Sequence, residues 1–237
     1  MLGKVKANVY GRQVEIPAGF EDYFDPTHTA IVEVDMHGGH LDPDATCPSY
    51  RCAGLIDSIN EFNARARQLK IPVIHCKTTM RKNYVDDDGR SSWRRMMLLN
   101  PDWKRSPEQT KNHGIEGTRW SEFSVDVMPE DYVVNSKKRL SCFYPATDLE
   151  FLLRQLWREV VVITGLFSDC CDLCTAFEAA NRDFKVVVPK DLQRGYSEEM
   201  EEAAAKIVSL YLGVVVESKE LVAEWKRRLG KVASGGT

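Results

Sequence analysis

An acid, a lysine and a cysteine each follow an apolar run in this sequence, and together they could cleave a carbonyl bond. The acid is Asp35, the lysine is Lys137 or Lys138, and the cysteine is Cys170 or Cys171. A thiolate can attack a carbonyl carbon, while a carboxylate carries the proton and an ammonium group balances the charge. Hydrolysis of an unactivated carbonyl bond, above all of an amide, is the reaction that suits this set.

The cysteine pair lies where a buried strand passes into a helix. The run from Val160 to Ile163 is β-branched, and the apolar residues after Cys171 recur at helical spacing. At a helix N-terminus, unpaired N–H groups and the helix dipole lower the pKa of a thiol and can receive an oxyanion. The pattern favours a nucleophilic cysteine, although a buried structural cysteine is an equally good interpretation of this feature alone.

The elements that must position these residues alternate between strands and helices. Apolar runs predict six strands, at 30–34, 71–76, 131–135, 160–163, 184–189 and 214–217. Helical spacing predicts helices at 52–69, 147–157, after Cys171, at 197–212 and at 221–229. This alternation predicts an α/β fold, with a doubly wound, mainly parallel six-stranded sheet and helices on both faces. Since ligands bind beyond the carboxyl ends of parallel strands, Asp35, Lys138 and the Cys170–Cys171 pair are expected to share one cleft.

The chain is predicted to form a single domain over residues 29–230. Residues 1–28 are predicted to be an N-terminal arm, and residues 231–237 a flexible tail. Within the domain, residues 78–125 form a long polar insertion, and insertions of this length are commonly lids or oligomer contacts.

Composition and charge exclude several classes of partner. The chain has 237 residues, a formal net charge of −3 and 43% hydrophobic residues, which is typical of a globular protein. A slightly negative net charge does not indicate a basic surface that binds nucleic acid. No apolar run approaches the roughly 18 residues that a membrane span needs. The seven cysteines lack the spacing of a disulfide framework. A reduced, cytoplasmic protein without nucleic-acid or membrane partners is therefore predicted.

Three segments resemble motifs of the isochorismatase-like cysteine hydrolase superfamily, which includes nicotinamidases, N-carbamoylsarcosine amidase, ureidoacrylate amidohydrolase and biuret hydrolase. They are DMHGGH from Asp35, SCFY from Ser141 followed by TDL from Thr147, and GLFSDCCDLCTA from Gly165. The similarity in element order covers roughly residues 25–217, and the third segment is the most specific.

The resemblance implies a catalytic triad in which Cys171 is the nucleophile, Asp35 moves the proton and a lysine balances the charge. Counting back from the SCFY segment gives Lys137, whereas counting back from the predicted helix cap Thr147, or from Cys171, gives Lys138. We choose Lys138, because helix and strand registers are firmer than a loop that contains a proline.

The resemblance also implies how the turn before the nucleophile binds substrate. A cis peptide between Leu166 and Phe167 would direct the amides of Phe167 and Cys171 into an oxyanion hole. The predicted substrate-binding residues are His37, His40 and Phe167, although the two histidines could instead only order their loop. His37 stands where the family usually has glutamine, and Phe167 where a small residue is common, so the identity of the substrate stays open.

No metal and no other cofactor is expected. Nicotinamidases of this superfamily carry an Asp-x-His…His metal cluster after the second strand, and the corresponding stretch from His75 to Arg81 lacks that pattern. His75 and Cys76 could ligate zinc only with further ligands at tetrahedral spacing, and none is evident. A buried, hydrogen-bonded His75 is the favoured interpretation.

The sequence therefore predicts a metal-independent cysteine amidohydrolase that cleaves a C–N bond of a small carbamoyl or ureido amide. A thioester acyl-enzyme would form, and ammonia or an amine would leave. By resemblance, a homo-oligomer, either a dimer or a tetramer, is expected. Two alternatives stay open: a catalytically silent subunit of the same fold that serves binding or assembly, and a dithiol redox protein that uses the C-x-x-C pair Cys171 and Cys174.

Overall fold

Two sheets organise the protein, whose structure is a computed structural model that describes residues 4–45, 52–86, 91–100 and 112–234. The first sheet is an antiparallel hairpin of β1 (Lys6–Val9) and β2 (Arg12–Glu15). The second has seven strands: β3 (Thr29–Val34), β4 (Val73–Thr78), β5 (Tyr132–Lys137), β6 (Val160–Leu166), β7 (Lys185–Pro189), β8 (Gln193–Arg194) and β9 (Gly213–Val216).

The seven-stranded sheet is parallel in all its described strand pairs. The strand order is β5-β4-β3-β6-β7-β9, with β8 paired beside the end of β6. Strands β3 and β6 are buried along their whole length, as expected for β-branched strands covered on both faces. The predicted α/β class with a mainly parallel sheet is confirmed, with seven strands in place of six. The additional strand, β8, has only two residues, and so short a segment has no periodicity to detect.

Helices cover both faces of this sheet. They are α1 (Gly38–Leu41), α2 (Leu55–Gln68), α3 (Ser92–Leu99), α4 (Leu149–Gln155), α5 (Cys171–Ala180), α6 (Glu198–Tyr211) and α7 (Ser218–Ser234). On one face α2 and α7 bury Ile59, Phe62 and Trp225. On the other face α4 and α6 bury Leu153 and Val208, together with side chains of α5. Among the described residues, no helix has both the length and the apolar character of a membrane span.

The two ends of the chain extend the core of the domain. The predicted N-terminal arm contains the hairpin and two 3₁₀ helices, Glu21–Phe24 and Pro26–His28. Strand β1 lies against β9 and α6, and Phe24 is fully buried. At the other end, α7 continues to Ser234, so the predicted tail begins inside a helix. Residues 235–237 of that tail lie outside the described residues.

Candidate active site

Three buried side chains meet at the edge of the sheet where strands β3, β5 and β6 end. Lys137, the last residue of β5, donates from Nζ to Asp35 Oδ2 and, at 2.9 Å, to Thr78 Oγ1. The same Nζ lies 3.5 Å from Cys171 Sγ. Asp35 and Lys137 are fully buried, and Cys171 is 7% exposed. An acid, a lysine and a cysteine therefore converge at this edge, with the lysine between the other two.

Lys138, the lysine chosen from the sequence, lies outside this contact. Its Nζ donates to the carbonyl of Thr79 and lies 3.2 Å from Asp86 Oδ2. The structure corrects the choice of lysine from Lys138 to Lys137.

A β-bulge decides which lysine faces the site. Cys76 of β4 pairs with Val134 of β5. Two residues later on β4, Thr78 pairs with Lys137, which is three residues later on β5. Side chains alternate along a strand, and the extra residue of β5 shifts this alternation by one. Lys137, rather than Lys138, is therefore turned inward on the same side as Val134.

The helix cap that was used to locate the lysine is also wrong. Helix α4 follows Asp148, which makes no side-chain capping hydrogen bond. Thr147 instead donates its hydroxyl to the carbonyls of Cys142 and Tyr144, at 2.7 and 2.9 Å. Thr147 belongs to the preceding turn, so counting back from it misplaced the lysine by one residue.

Asp35 and Lys137 form a buried ion pair. The chain leaves the extended conformation of β3 at Asp35, where φ is +52°, a region that Asp tolerates better than most residues. Oδ1 of Asp35 accepts the N–H of Thr78 at 2.7 Å. Burial alone would raise the pKa of Asp35, but the charge and hydrogen bond of Lys137, together with the nearby His37 and His40, outweigh it and lower the pKa to about 2. Burial would lower the pKa of Lys137, and the charge of Asp35 raises it instead.

The adjacent cysteines have pKa values shifted in opposite directions. A hydrogen bond with Cys170 and burial raise the pKa of Cys171 well above its usual value, although the charge of Lys137 acts the other way. The pKa of Cys170 is lowered, because the same hydrogen bond stabilises its thiolate. The pKa of Cys171 is thus shifted against the direction predicted for a thiol at a helix N-terminus, whereas that of Cys170 is shifted in the predicted direction.

The turn before Cys171 leaves two backbone donors available. The peptide between Leu166 and Phe167 is cis, as the resemblance implies. The carbonyl of Phe167 accepts the N–H groups of Cys170 and Asp172, at 2.9 and 3.0 Å. Within the described ranges, the N–H groups of Phe167 and Cys171 have no backbone acceptor. These are the two amides predicted for an oxyanion hole, and both can donate to a ligand.

A cavity of about 450 Å³ opens beside these groups. Asp35, Lys137 and Cys171 form part of its lining. Much of the remaining wall is apolar and includes Trp93, Met96, Leu140, Phe167, Tyr196 and Met200. Helix α3 of the long insertion thus supplies part of the wall, and Phe167 lies where a substrate-binding residue was predicted. Such a cavity suits a small molecule with an apolar portion.

Three buried histidines lie beside the acid. His37, His40 and His113 are 0%, 5% and 2% exposed, and each offers a ring nitrogen within 4.8 Å of the others. His40 and His113 line the cavity, and His37 Nε2 is 3.7 Å from Asp35 Oδ1. Burial and the neighbouring His40 lower the pKa of His37 to about 3. Both histidines predicted to bind substrate are therefore at the site, and only His40 of the two forms part of the cavity lining.

His113 is a site residue that sequence reasoning missed. The turn that carries it pairs with the segment after β4, since Met80 donates to the carbonyl of Gly114 at 2.8 Å and accepts from Glu116 at 2.9 Å. This pairing brings the turn to the edge of the sheet. The sequence gives only a weak indication that His113 belongs to the site. It is the one histidine of the insertion, and no local pattern links it to His37.

His75 is a buried histidine of a different kind. Its Nδ1 lies 2.8 Å from Glu33 Oε1, and its Nε2 lies 3.0 Å from Asp131 Oδ2. Burial would lower the pKa of His75, but the hydrogen bonds to the two carboxylates outweigh it and raise the pKa. The prediction of a buried, hydrogen-bonded His75 is confirmed.

Comparison with known proteins identifies the family that shares this architecture. A family model described as an isochorismatase domain matches residues 29–220. The chain belongs to the isochorismatase family. The superfamily predicted from the three motif segments is confirmed, and the chain has the hydrolase fold of that family.

Relatives of this isochorismatase-family chain carry different names. Enterobactin synthase component B of Escherichia coli (strain K12) is 27% identical over 229 residues, covering 93% of this chain and 72% of that protein. A cysteine hydrolase from Pseudomonas syringae pv. phaseolicola 1448A has a TM-score of 0.74 at 18% identity, covering 86% of this chain and 94% of that one. N-carbamoylsarcosine amidase from Thermoplasma acidophilum has a TM-score of 0.62 at 22% identity, covering 80% and 96%. At these identities the solved structures establish the fold alone.

Proposed function

We propose that this protein is a cysteine amidohydrolase that cleaves the C–N bond of a small carbamoyl or ureido amide. The observation that carries the proposal is the contact of Lys137 with both Asp35 and Cys171 in the wall of a cavity. The amidase and the cysteine hydrolase that share its fold support this choice of chemistry.

The first half of the reaction bonds sulfur to carbon. Asp35 takes the proton of the Cys171 thiol as Sγ attacks the carbonyl carbon. Lys137, whose Nζ contacts Asp35 and lies 3.5 Å from Sγ, balances the charge of the carboxylate before this transfer and the negative charge that develops on sulfur during it. The carbonyl electron pair moves to oxygen, where the two free amides of the cis-peptide turn receive it. One such donor is worth roughly 3–4 kcal/mol of transition-state stabilisation.

The second half breaks the C–N bond and releases the enzyme. Asp35 returns the proton to the leaving nitrogen, so ammonia or an amine departs and a thioester remains on Cys171. Water then attacks the thioester while Asp35 accepts its proton. That proton passes to Sγ as the C–S bond breaks, and over the cycle one water is consumed for each C–N bond cleaved.

An ammonia-release screen over ureido, carbamoyl and simple carboxamide compounds tests the proposal. Cys171→Ala is expected to abolish turnover and to leave the fold intact, because Sγ forms the covalent bond. The matched control is Cys174→Ala, one turn further along α5, which should retain turnover. Mass spectrometry of the quenched wild-type reaction should show an acyl group on the peptide that contains Cys171. Full activity in Cys171→Ala would refute the assignment.

One observation favours the silent-subunit alternative, namely that a relative is named as a component of a synthase. This alternative predicts no ammonia release and no acyl adduct with any compound of the screen. A dithiol redox protein would instead form a reversible disulfide between Cys171 and Cys174, which mild oxidation and mass spectrometry would detect. The homo-oligomer expected from the resemblance stays a prediction, which sedimentation equilibrium tests.

A further inference from the structure

Three histidine rings converge beside the cavity from two segments that are far apart in the sequence. His37, His40 and His113 each offer a ring nitrogen within 4.8 Å of the others. Their ring centroids are separated by 4.9, 5.3 and 4.6 Å. We propose that these side chains bind one divalent transition-metal ion, with Zn²⁺ as the expected ion. The proposal replaces the expectation of no metal, and it does not rest on the proposed hydrolysis.

The surroundings of His37 fit a metal ligand. Its Nδ1 lies 2.9 Å from the carbonyl oxygen of Trp120, and a carbonyl only accepts, so this contact requires the proton on Nδ1. The lone pair is then on Nε2, which is buried and has no hydrogen-bond partner among the described residues. Metal-ligating histidines commonly donate their second nitrogen to a carbonyl in this way.

The opposite tautomer of His37 exchanges one hydrogen bond of Nδ1 for another and does not satisfy Nε2. The N–H of Gly39 lies 3.0 Å from Nδ1 and would favour a lone pair there. Nε2 would then carry the proton as a buried donor, with no acceptor within hydrogen-bond distance among the described residues. In either tautomer Nδ1 satisfies only one of its two neighbours, the carbonyl of Trp120 or the N–H of Gly39. In both tautomers Nε2 is left as a buried atom without a partner among the described residues, which is uncommon in folded proteins. Coordination of an ion by Nε2 satisfies it in the first tautomer.

Glycine at position 39 allows the rings to meet. A Cβ on Gly39 would lie 2.6 Å from Cε1 of His37 and 2.8 Å from Nδ1 of His113. Both distances are far below van der Waals contact, so any side chain here would push the two rings apart. His37 precedes helix α1 and His40 lies in it. They can approach His113 only because residue 39, between them, has no side chain.

Three imidazoles with an open fourth position form a typical ligand set of catalytic zinc sites. Nitrogen ligands at about 2.0–2.1 Å from a tetrahedral ion lie about 3.4 Å apart. From separations of up to 4.8 Å, a small inward rotation of the rings completes the site. His40 and His113 line the cavity, so the open position faces the space beside Cys171. There the ion would bind an oxygen or nitrogen atom of the molecule that occupies the cavity.

Metal uptake by the full-length protein tests this proposal. The protein is treated with chelator, desalted and titrated with Zn²⁺ and separately with Co²⁺, and the bound metal is counted by mass spectrometry. We expect one ion per chain and a higher unfolding temperature with Zn²⁺. The Co²⁺ form should show the strong visible absorption of a tetrahedral site, without the near-ultraviolet band that a cysteine ligand adds.

Substitutions identify the ligands. His40→Gln and His113→Gln should each weaken zinc binding by more than about 100-fold, because even removal of an outer-shell partner costs 10–100-fold. His28→Gln is the matched control, since His28 is about half exposed and should leave zinc binding unchanged. Cys171→Ala should also bind zinc normally while losing turnover, which separates this proposal from the proposed function.

Two results would overturn the metal site. One is a chelator-treated wild type that takes up no stoichiometric ion, and the other is undiminished uptake in both histidine variants. Circular dichroism establishes whether those variants fold. If they do not fold, the wild-type Co²⁺ spectrum decides alone, since a sulfur band or a weak octahedral spectrum contradicts a three-histidine site.

Discussion

Two groups of buried histidines in this molecule differ in what their ring nitrogens meet. The first, the closed network, consists of Glu33, Asn63, Arg67, His75 and Asp131. Both nitrogens of its histidine contact carboxylates, at 2.8 and 3.0 Å. The carboxylates are in turn held by the amide of Asn63 at 2.8 Å and by the guanidinium of Arg67 at 2.9 and 2.6 Å.

The second group, the open cluster, consists of His37, His40 and His113. Nε2 of His37 has no hydrogen-bond partner in the described part of the chain, and His40 and His113 border the cavity. Buried polar groups are nearly always paired. A network completed within the chain stabilises the fold, whereas an unsatisfied nitrogen such as Nε2 of His37 can bind a ligand. The two groups therefore separate a structural use of buried histidine from a functional one.

The largest expected effect is a loss of catalytic rate when Lys137, at the sheet edge beside the open cluster, is replaced. Lys137→Met should lower the kcat of ammonia release by about 10²–10³-fold, the range for removal of one group that stabilises charge in the transition state. Lys138→Met should keep most of the activity, because its Nζ contacts Thr79 and Asp86 instead. Initial rates of both variants, with circular dichroism to verify folding, provide the measurement. Equal losses in the two variants would contradict the role of the β-bulge.

The second effect tests the closed network through stability. His75→Ala should lower the free energy of unfolding by about 3–5 kcal/mol, because two buried carboxylates lose their shared partner. His28→Ala is the control, and its change should stay below about 1 kcal/mol, as for exposed ion pairs. Denaturant titration measures both, and the activity per folded molecule should be unchanged. A loss in His75→Ala no larger than that of the control would show that the network contributes little.

The smallest effect is a pH dependence that only the closed network should produce. The pKa of His75 is raised in the folded state, relative to about 6.5 in the unfolded chain. The folded state then binds more protons, so this stabilisation is fully present below about pH 6.5 and is lost as the pH rises through the folded pKa. Unfolding of the wild type should be measured across this window with chelator present. His75→Gln should lose this part of the slope, and an unchanged slope would exclude His75 as its source.

Much of the fold and part of the candidate site can be predicted from local sequence patterns. The β-branched run from Val160 to Ile163 and the helical spacing after Cys171 predict a strand and a helix, and both are present. Asp35 was found because it directly follows a buried strand, and the Cys170–Cys171 pair because it lies in the passage from a buried strand to a helix. The family resemblance then selected Cys171 of the pair. These signals are local, since alternation and helical period depend on residues a few positions apart.

The choice of lysine, the third histidine and the state of the thiol were decided by tertiary structure. Lys137 faces the site because of a bulge that exists only when β5 pairs with β4. His113 joins the open cluster because its turn pairs with the segment after β4. The pKa of Cys171 is set by burial and by Cys170, against the direction that its helix position alone predicts. Each of these depends on groups brought together by packing. Spacing in the sequence left both lysines open, because counting from SCFY gave Lys137 and counting from Thr147 gave Lys138.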